Sequence, residues 1–201
     1  MNRLRVIASL IAGLLLMVSC EGDFENADKT ERLNDFEMTL NDQVWTPSEI
    51  DACTSTFQCQ MSKWVSVQGD ETYVYHVKAY RDPQAVASLN SENFFQFQIM
   101  GANQIGTYTV DGAFKDSDSF ARLTVNDANG KRIYQNKLNE NLFTVTINKF
   151  YQKGGSELIG IKGSFEGTLY NMTDPLDVVH ISKGEFDFSK INHFDFNQCS
   201  Q

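Results

Sequence analysis

Few residues in this chain have the type and spacing that chemistry requires. The three histidines, His76, His180 and His193, each stand alone, with no partner at metal-ligand or triad spacing. His76 and His180 fall in alternating stretches, where a histidine is most simply a half-exposed sheet residue. Asp116-Ser117-Asp118-Ser119 offers oxygen ligands, but a calcium loop needs more acids and a glycine at set spacing, so a solvated turn is expected. Asp127-Ala128-Asn129-Gly130 carries a fragment of the same pattern, and hairpin chemistry accounts for it. Asn171-Met172-Thr173 matches the glycosylation acceptor pattern and reads as incidental. No catalytic residue, cofactor site or metal site is therefore assigned. Trp45 and Trp64, with exposed tyrosines, could form a platform for stacking sugars, though core packing is the commoner use of such rings. Among the cysteines, Cys53 and Cys59 flank five residues, and bridging them would stabilise by roughly 2–3 kcal/mol. A bridge from Cys199 to either would close most of the domain, and an unbridged set is the third possibility. The spacing does not suit zinc.

The elements that must position these residues alternate with period two. Phe36, Met38 and Leu40 share one face, Asn41-Asp42 makes a turn, and Val44-Trp45 starts a return strand. Lys63 to Gln68 is a candidate strand, and Tyr73, Tyr75, Val77 and Ala79 alternate in the next. Phe95, Phe97 and Ile99 oppose Gln96 and Gln98. Gly106 to Val110 is short and strand-like. Ala121, Leu123 and Val125 lead into Asn129-Gly130, a tight-turn signal because both residues tolerate positive φ. Phe143, Val145 and Ile147 come next, and Lys153-Gly154-Gly155-Ser156 turns the chain. Ile159, Ile161, Gly163, Phe165, Gly167 and Leu169 then share one face of a long strand. Gly163 and Gly167 are expected to make room for large aromatics or strong twist. Val179, Ile181, Phe186 and Phe188 close the pattern. Residues 84–92 read as a loop or a single helical turn. Fifteen Phe and seven Tyr with three Pro suit a packed β protein. Roughly ten short strands imply an all-β, antiparallel β-sandwich, with a lipocalin-like β-barrel as the alternative.

The first residues carry an address. Arg3 and Arg5 precede an uncharged run from Val6 to Val18, and Met17-Val18-Ser19-Cys20 closes it. That run has roughly 13 residues, short of the ~20 of a spanning helix. Apolar, small, then Cys resembles the lipobox of bacterial lipoproteins, with Met17 where Leu is more usual. The resemblance implies lipid attachment at Cys20, and two or more acyl chains make such an anchor stable. Glu21-Gly22-Asp23-Phe24-Glu25 resembles the acidic export signals that send lipoproteins of Bacteroidota to the cell surface; Glu21, Asp23, Phe24 and Glu25 would be its readable positions. The expected organisation is a signal peptide over 1–19, a lipidated Cys and acidic flexible tether over 20–34, and a single all-β domain over 35–201. The signal holds two Arg and no acid, so its removal takes the net charge from −9 to −11. Such acidity argues against nucleic acid as a partner.

Leu158-Ile-Gly-Ile-Lys-Gly-Ser-Phe-Glu-Gly-Thr-Leu-Tyr170 and Val179-His-Ile-Ser-Lys-Gly-Glu-Phe-Asp187 carry a wider resemblance. They resemble a family of uncharacterised Bacteroidota outer-membrane lipoproteins with a "G-x-F-x-G" strand and a closing "I-x-x-G-x-F" strand. Leu40 to Thr46 resembles their opening hairpin, with Asp42 where Gly is more usual, and Gly106 to Val110 a mid-domain element. The resemblance implies an all-β fold and an outer-membrane, lipid-anchored location facing the exterior, and it brings no catalytic residues. The function expected is therefore a non-enzymatic surface binding or accessory module, with a glycan or envelope protein as its partner. A lipocalin-like carrier of a small apolar ligand comes second, and an envelope hydrolase third.

Overall fold

The computed structural model describes residues 34–48, 56–81, 93–155, 157–189 and 191. The described residues contain eleven antiparallel strands and no helix. In chain order they are β1 (Asn34–Leu40), β2 (Gln43–Trp45), β3 (Phe57–Val65), β4 (Glu71–Tyr80), β5 (Phe94–Met100) and β6 (Gly106–Thr109). β7 (Phe120–Asp127), β8 (Gly130–Gln135), β9 (Phe143–Lys153), β10 (Glu157–Asn171) and β11 (Val178–Phe188) complete the set. The strand expected at Lys63 starts earlier, at Phe57, because Phe57 and Cys59 supply inward side chains ahead of the lysine.

The strands hydrogen-bond in the order β2-β1-β11-β10-β8-β7-β5-β4-β3, and β9 joins β10 while carrying β6 on its other edge. β10 is the hinge of this sheet. One edge pairs with β11, while the other pairs with β9 as far as Gly167 and then with β8 at Tyr170 and Asn171. The long strand thus leaves one layer and enters the next. The sheet stays open among the described residues, and its inner faces meet as an all-β sandwich.

Aromatic rings make the contact between layers. Phe165 of β10 stacks on Phe95 of β5 with centroids 5.1 Å apart and lies 5.3 Å from Phe97. Phe186 of β11 meets Phe97 at 5.5 Å, and Phe57 of β3 meets Phe188 at 6.0 Å. These separations fall in the range where ring pairs add about 0.5–1.5 kcal/mol each beyond their buried area. Rings fill the space that a lipocalin-like barrel would leave for a ligand.

Two glycines make that packing possible. Gly184 sits opposite Phe165 in the β10–β11 ladder, and a Cβ there would lie 2.4 Å from the ring. A Cβ on Gly163 would meet the Thr146 carbonyl oxygen at 2.1 Å and the Phe186 ring at 2.6 Å. Gly163 therefore accommodates backbone and a neighbouring strand's ring, not an aromatic of the facing layer. The turns follow their residues. Asn41 and Asp42 both take positive φ, as a two-residue hairpin turn requires. At the β7–β8 turn only Gly130 does so, and Asn129 N–H donates to Asp127 Oδ1 at 2.9 Å.

Candidate functional site

The outer faces of the two layers differ in what covers them. On the β9–β10–β11 side the outward residues are mostly polar, and several pair with neighbours at the surface. Lys162 Nζ donates to Asp187 Oδ2 at 2.8 Å, and Tyr151 Oη donates to Asp187 Oδ1 at 2.7 Å. Thr107 and Thr146 hydroxyls pair at 2.9 Å across β6 and β9. A shallow recess of about 370 Å³ lies over Gly167, bordered by Thr144, Glu166, Thr168 and His180. His180 Nδ1 is 2.9 Å from the Thr168 hydroxyl.

On the β3–β4–β5–β7 side, several outward polar residues are buried. Ladder register aligns Gln60, His76, Gln98 and Phe120 in one cross-strand row. Gln58, Lys78, Gln96 and Arg122 form the next. Gln58, Gln96 and Gln98 are each 5% exposed, and Thr124 is 3% exposed. A strap over residues 111–119, between β6 and β7, closes part of this face. Gln98 Nε2 donates to the carbonyl oxygens of Asp118 at 2.8 Å and Asp116 at 3.0 Å, and Met100 N–H donates to Ser119 Oγ at 3.1 Å. Phe114 from the strap meets Phe120 edge-on at 4.7 Å, and the Arg122 guanidinium lies 4.2 Å over the Phe114 ring. Burial pulls the Arg122 pKa down. Gln58 Oε1 and Arg122 Nε are buried with no hydrogen-bond partner among the described residues.

His76 is the titratable centre of this face. Its Nε2 is 2.9 Å from Gln96 Oε1, and its ring meets Phe120 edge-on at 5.7 Å. Desolvation, helped by the Lys78 charge, pushes its pKa down to about 4. The imidazole is therefore neutral at pH 7. Among the described residues its hydrogen-bond neighbour is the Gln96 amide.

Beside the strap, a groove of about 280 Å³ opens between β3, β4 and β5. Gln60, Ser62, His76, Gln98 and Asp116 supply its polar wall, and Val74 lies with them as an apolar part. Trp64 stands at its rim, 42% exposed. The family described as a domain of unknown function (DUF5025) matches residues 33–189. The chain belongs to this family. The DUF5025 match begins one residue before β1 and ends one residue after β11, so it spans the whole sandwich with both outer faces. No curated protein and no solved structure matches the chain.

Within this DUF5025 domain the residues singled out from sequence scatter. Trp45 is 5% exposed, edge-on to Phe36, and the Arg81 guanidinium lies 5.7 Å over its ring. It belongs to the core, so the two tryptophans form no shared platform. Asp118 turns back on its own loop: Ala113 N–H donates to Oδ2 at 3.0 Å, and that bond with the neighbouring Lys115 holds its carboxyl below the ordinary range. No group of three or more metal-ligating side chains occurs among the described residues. Cys59 is a buried free thiol whose pKa burial raises. Cys53, Cys199 and His193 lie outside the described residues, as do Cys20, Glu21, Asp23, Phe24 and Glu25.

Gln96, Gln98, Phe114 and Arg122 were not legible as a site, because alternation alone assigns Gln96 and Gln98 to solvent. A signal was present in the neighbours. The outward positions of β4 and β5 include Val74, Tyr80, Phe94 and Met100, and uncharged Gln stands where a solvated strand would carry Lys or Glu. Apolar and amide residues mixed on an outer face mark a covered face.

Proposed function

We propose that this protein is a lipid-anchored, non-enzymatic binding module of the bacterial outer membrane. It faces the exterior, and its ligand, a glycan or an envelope protein, meets it at the β3–β4–β5 groove. One observation carries the binding assignment: a groove of about 280 Å³ with a mixed polar and apolar lining opens on this face, and the partly exposed Trp64 indole is part of its wall. The neutral, amide-paired His76 supports binding over acid–base chemistry. The close ring packing of Phe95, Phe97, Phe165 and Phe186 speaks against an internal carrier site.

The address rests on sequence. Met17-Val18-Ser19-Cys20 supports acylation at Cys20 of the Bacteroidota lipoprotein kind, and Glu21, Asp23, Phe24 and Glu25 support display outside the cell. Cys20→Ser is expected to release the protein from membranes and abolish palmitate labelling; full membrane retention would remove the anchor. Replacing Asp23, Phe24 and Glu25 together with Ala is expected to keep the anchor and protect the domain from protease added to whole cells. Equal digestion of wild type and triple variant would reduce the cluster to a tether. For the binding role, the purified protein is arrayed against envelope glycans and envelope proteins. Retention of an unaltered ligand is expected, and chemical conversion of a ligand would instead make the protein an enzyme.

A further inference from the structure

We propose that Lys78 and Arg122 hold an oxyanion, the carboxylate, phosphate or sulfate group of a ligand, over the buried Gln96. This goes beyond the groove reading and does not rest on it.

The ladder register places the three side chains in one row. Lys78 on β4, Gln96 on β5 and Arg122 on β7 are successive cross-strand neighbours. Strands lie about 4.8 Å apart, so the two cations start about 10 Å apart with the amide between them. Each side chain is long enough to close half of that gap. Gln96 Oε1 is taken up by His76 Nε2, which leaves the Gln96 Nε2 amide as a donor between the cations. Arg122 is held where it stands, because its guanidinium lies 4.2 Å over the Phe114 ring. Its buried Nε has no hydrogen-bond partner.

The other cations of the domain are treated differently. Lys63, Lys115, Arg132, Lys137, Lys162 and Lys183 each meet a carboxylate. Among the described residues, Lys78 and Arg122 are the two half-buried cations that meet none. A shortage of acids is not the cause, since the chain has 26 acidic and 17 basic residues. On the strap, Asp118 is already engaged by the Ala113 N–H and Lys115. Burial pulls the pKa of both cations down. The Lys78 charge also helps to lower that of His76, and Asp116 opposes it more weakly, as expected of a field without a counter-charge.

A half-buried charge with no partner is costly. An oxyanion offsets that cost through charge-assisted hydrogen bonds from the ammonium, the guanidinium and the amide. A neutral ligand would desolvate both charges further without compensation, and a cation would be repelled.

The test is a titration of the full-length, membrane-extracted protein in a nonionic detergent, with ionic strength held constant by chloride. The probes are acetate, inorganic phosphate and sulfate, followed through the Arg122 Nε–H and the Gln96 side-chain amide resonances. At least one probe is expected to shift both resonances to saturation, and the one that saturates at the lowest concentration identifies the group. Lys78→Met keeps the side-chain stem and removes its charge. It is expected to weaken that binding about tenfold, whereas Lys78→Arg keeps most of it. The same anion is expected to raise the melting temperature of the wild type more than that of Lys78→Met. No saturable shift at Arg122 and Gln96 with any probe would overturn the proposal. Equal binding by the wild type and Lys78→Met would overturn it as well.

Discussion

The outward face of β9–β10–β11 and the outward face of β3–β4–β5–β7 begin from the same strand pattern, polar residues alternating with apolar ones. On the first, the polar groups remain in water and pair locally, as Lys162, Tyr151 and Asp187 do. On the second, Gln58, Gln96, Gln98 and Thr124 lose their water to a strap and to neighbouring side chains. The difference teaches that alternation separates the two sides of a strand but does not say which polar side is wet. A desolvated polar face is costly unless its groups are hydrogen-bonded, as Gln98 and His76 are here. That contrast can be broken or sharpened by four changes.

The largest effect belongs on the inner side of the solvated layer. Gly163→Val forces side-chain atoms onto the Thr146 carbonyl and the Phe186 ring. A loss of about 3 kcal/mol in urea unfolding is expected, at the upper end of overpacking costs. An unchanged midpoint would mean that β9, β10 and β11 can separate, and that the solvated layer is not the rigid one.

Next comes the acid response of the covered face. The His76 pKa is about 4 folded and near its ordinary 6.5 unfolded. Between these values the unfolded chain binds the extra proton, so stability is lost as pH falls from 6.5 to 4. The loss approaches on the order of 3 kcal/mol at the acid end. His76→Gln removes this term, so urea midpoints of wild type and variant should differ more at pH 4.5 than at pH 7. Parallel pH profiles would show that His76 is solvated like the residues of the other face.

Removing the strap's anchor comes third. Gln98→Ala leaves the Asp116 and Asp118 carbonyls without their buried donor, a cost of about 2 kcal/mol. Faster amide exchange across residues 111–119 should accompany it. Exchange rates unchanged from wild type would mean that Phe114 and Ser119 hold the strap without Gln98. The smallest effect is expected on the solvated face. Lys162→Ala removes one exposed ion pair, and the urea midpoint should stay within measurement error at physiological salt. A clear loss there would erase the contrast between the faces.

Much of the fold could be read before the structure. The inner rows Phe36–Met38, Phe95–Phe97–Ile99 and Phe143–Val145–Ile147 follow their period, and each is buried. Local alternation carries that information in the residues themselves. Long-range pairing does not. Nothing near β10 shows that it hands over from β9 to β8 after Gly167, or that β1 pairs with β11 at the far end of the domain. The site was less legible than the fold for the same reason. Burial of Gln98 depends on a strap that follows it in sequence and folds back over its strand. Trp45 and Trp64 both fall in strands, yet β2 delivers one to the core and β3 sets the other at the groove.

The central claim is that the covered face, not the solvated one, is where this protein meets its ligand. It is tested most directly by one substitution made on each face. Ser62→Arg blocks the groove, and Ser164→Arg places the same bulk and charge on the outer side of β10. Both variants are compared with wild type for capture of arrayed envelope glycans and proteins, after equal melting temperatures are verified. The account predicts that Ser62→Arg loses the captured ligand while Ser164→Arg retains it. Retention by Ser62→Arg with loss in Ser164→Arg would contradict it and move the binding face to the other side of the sandwich.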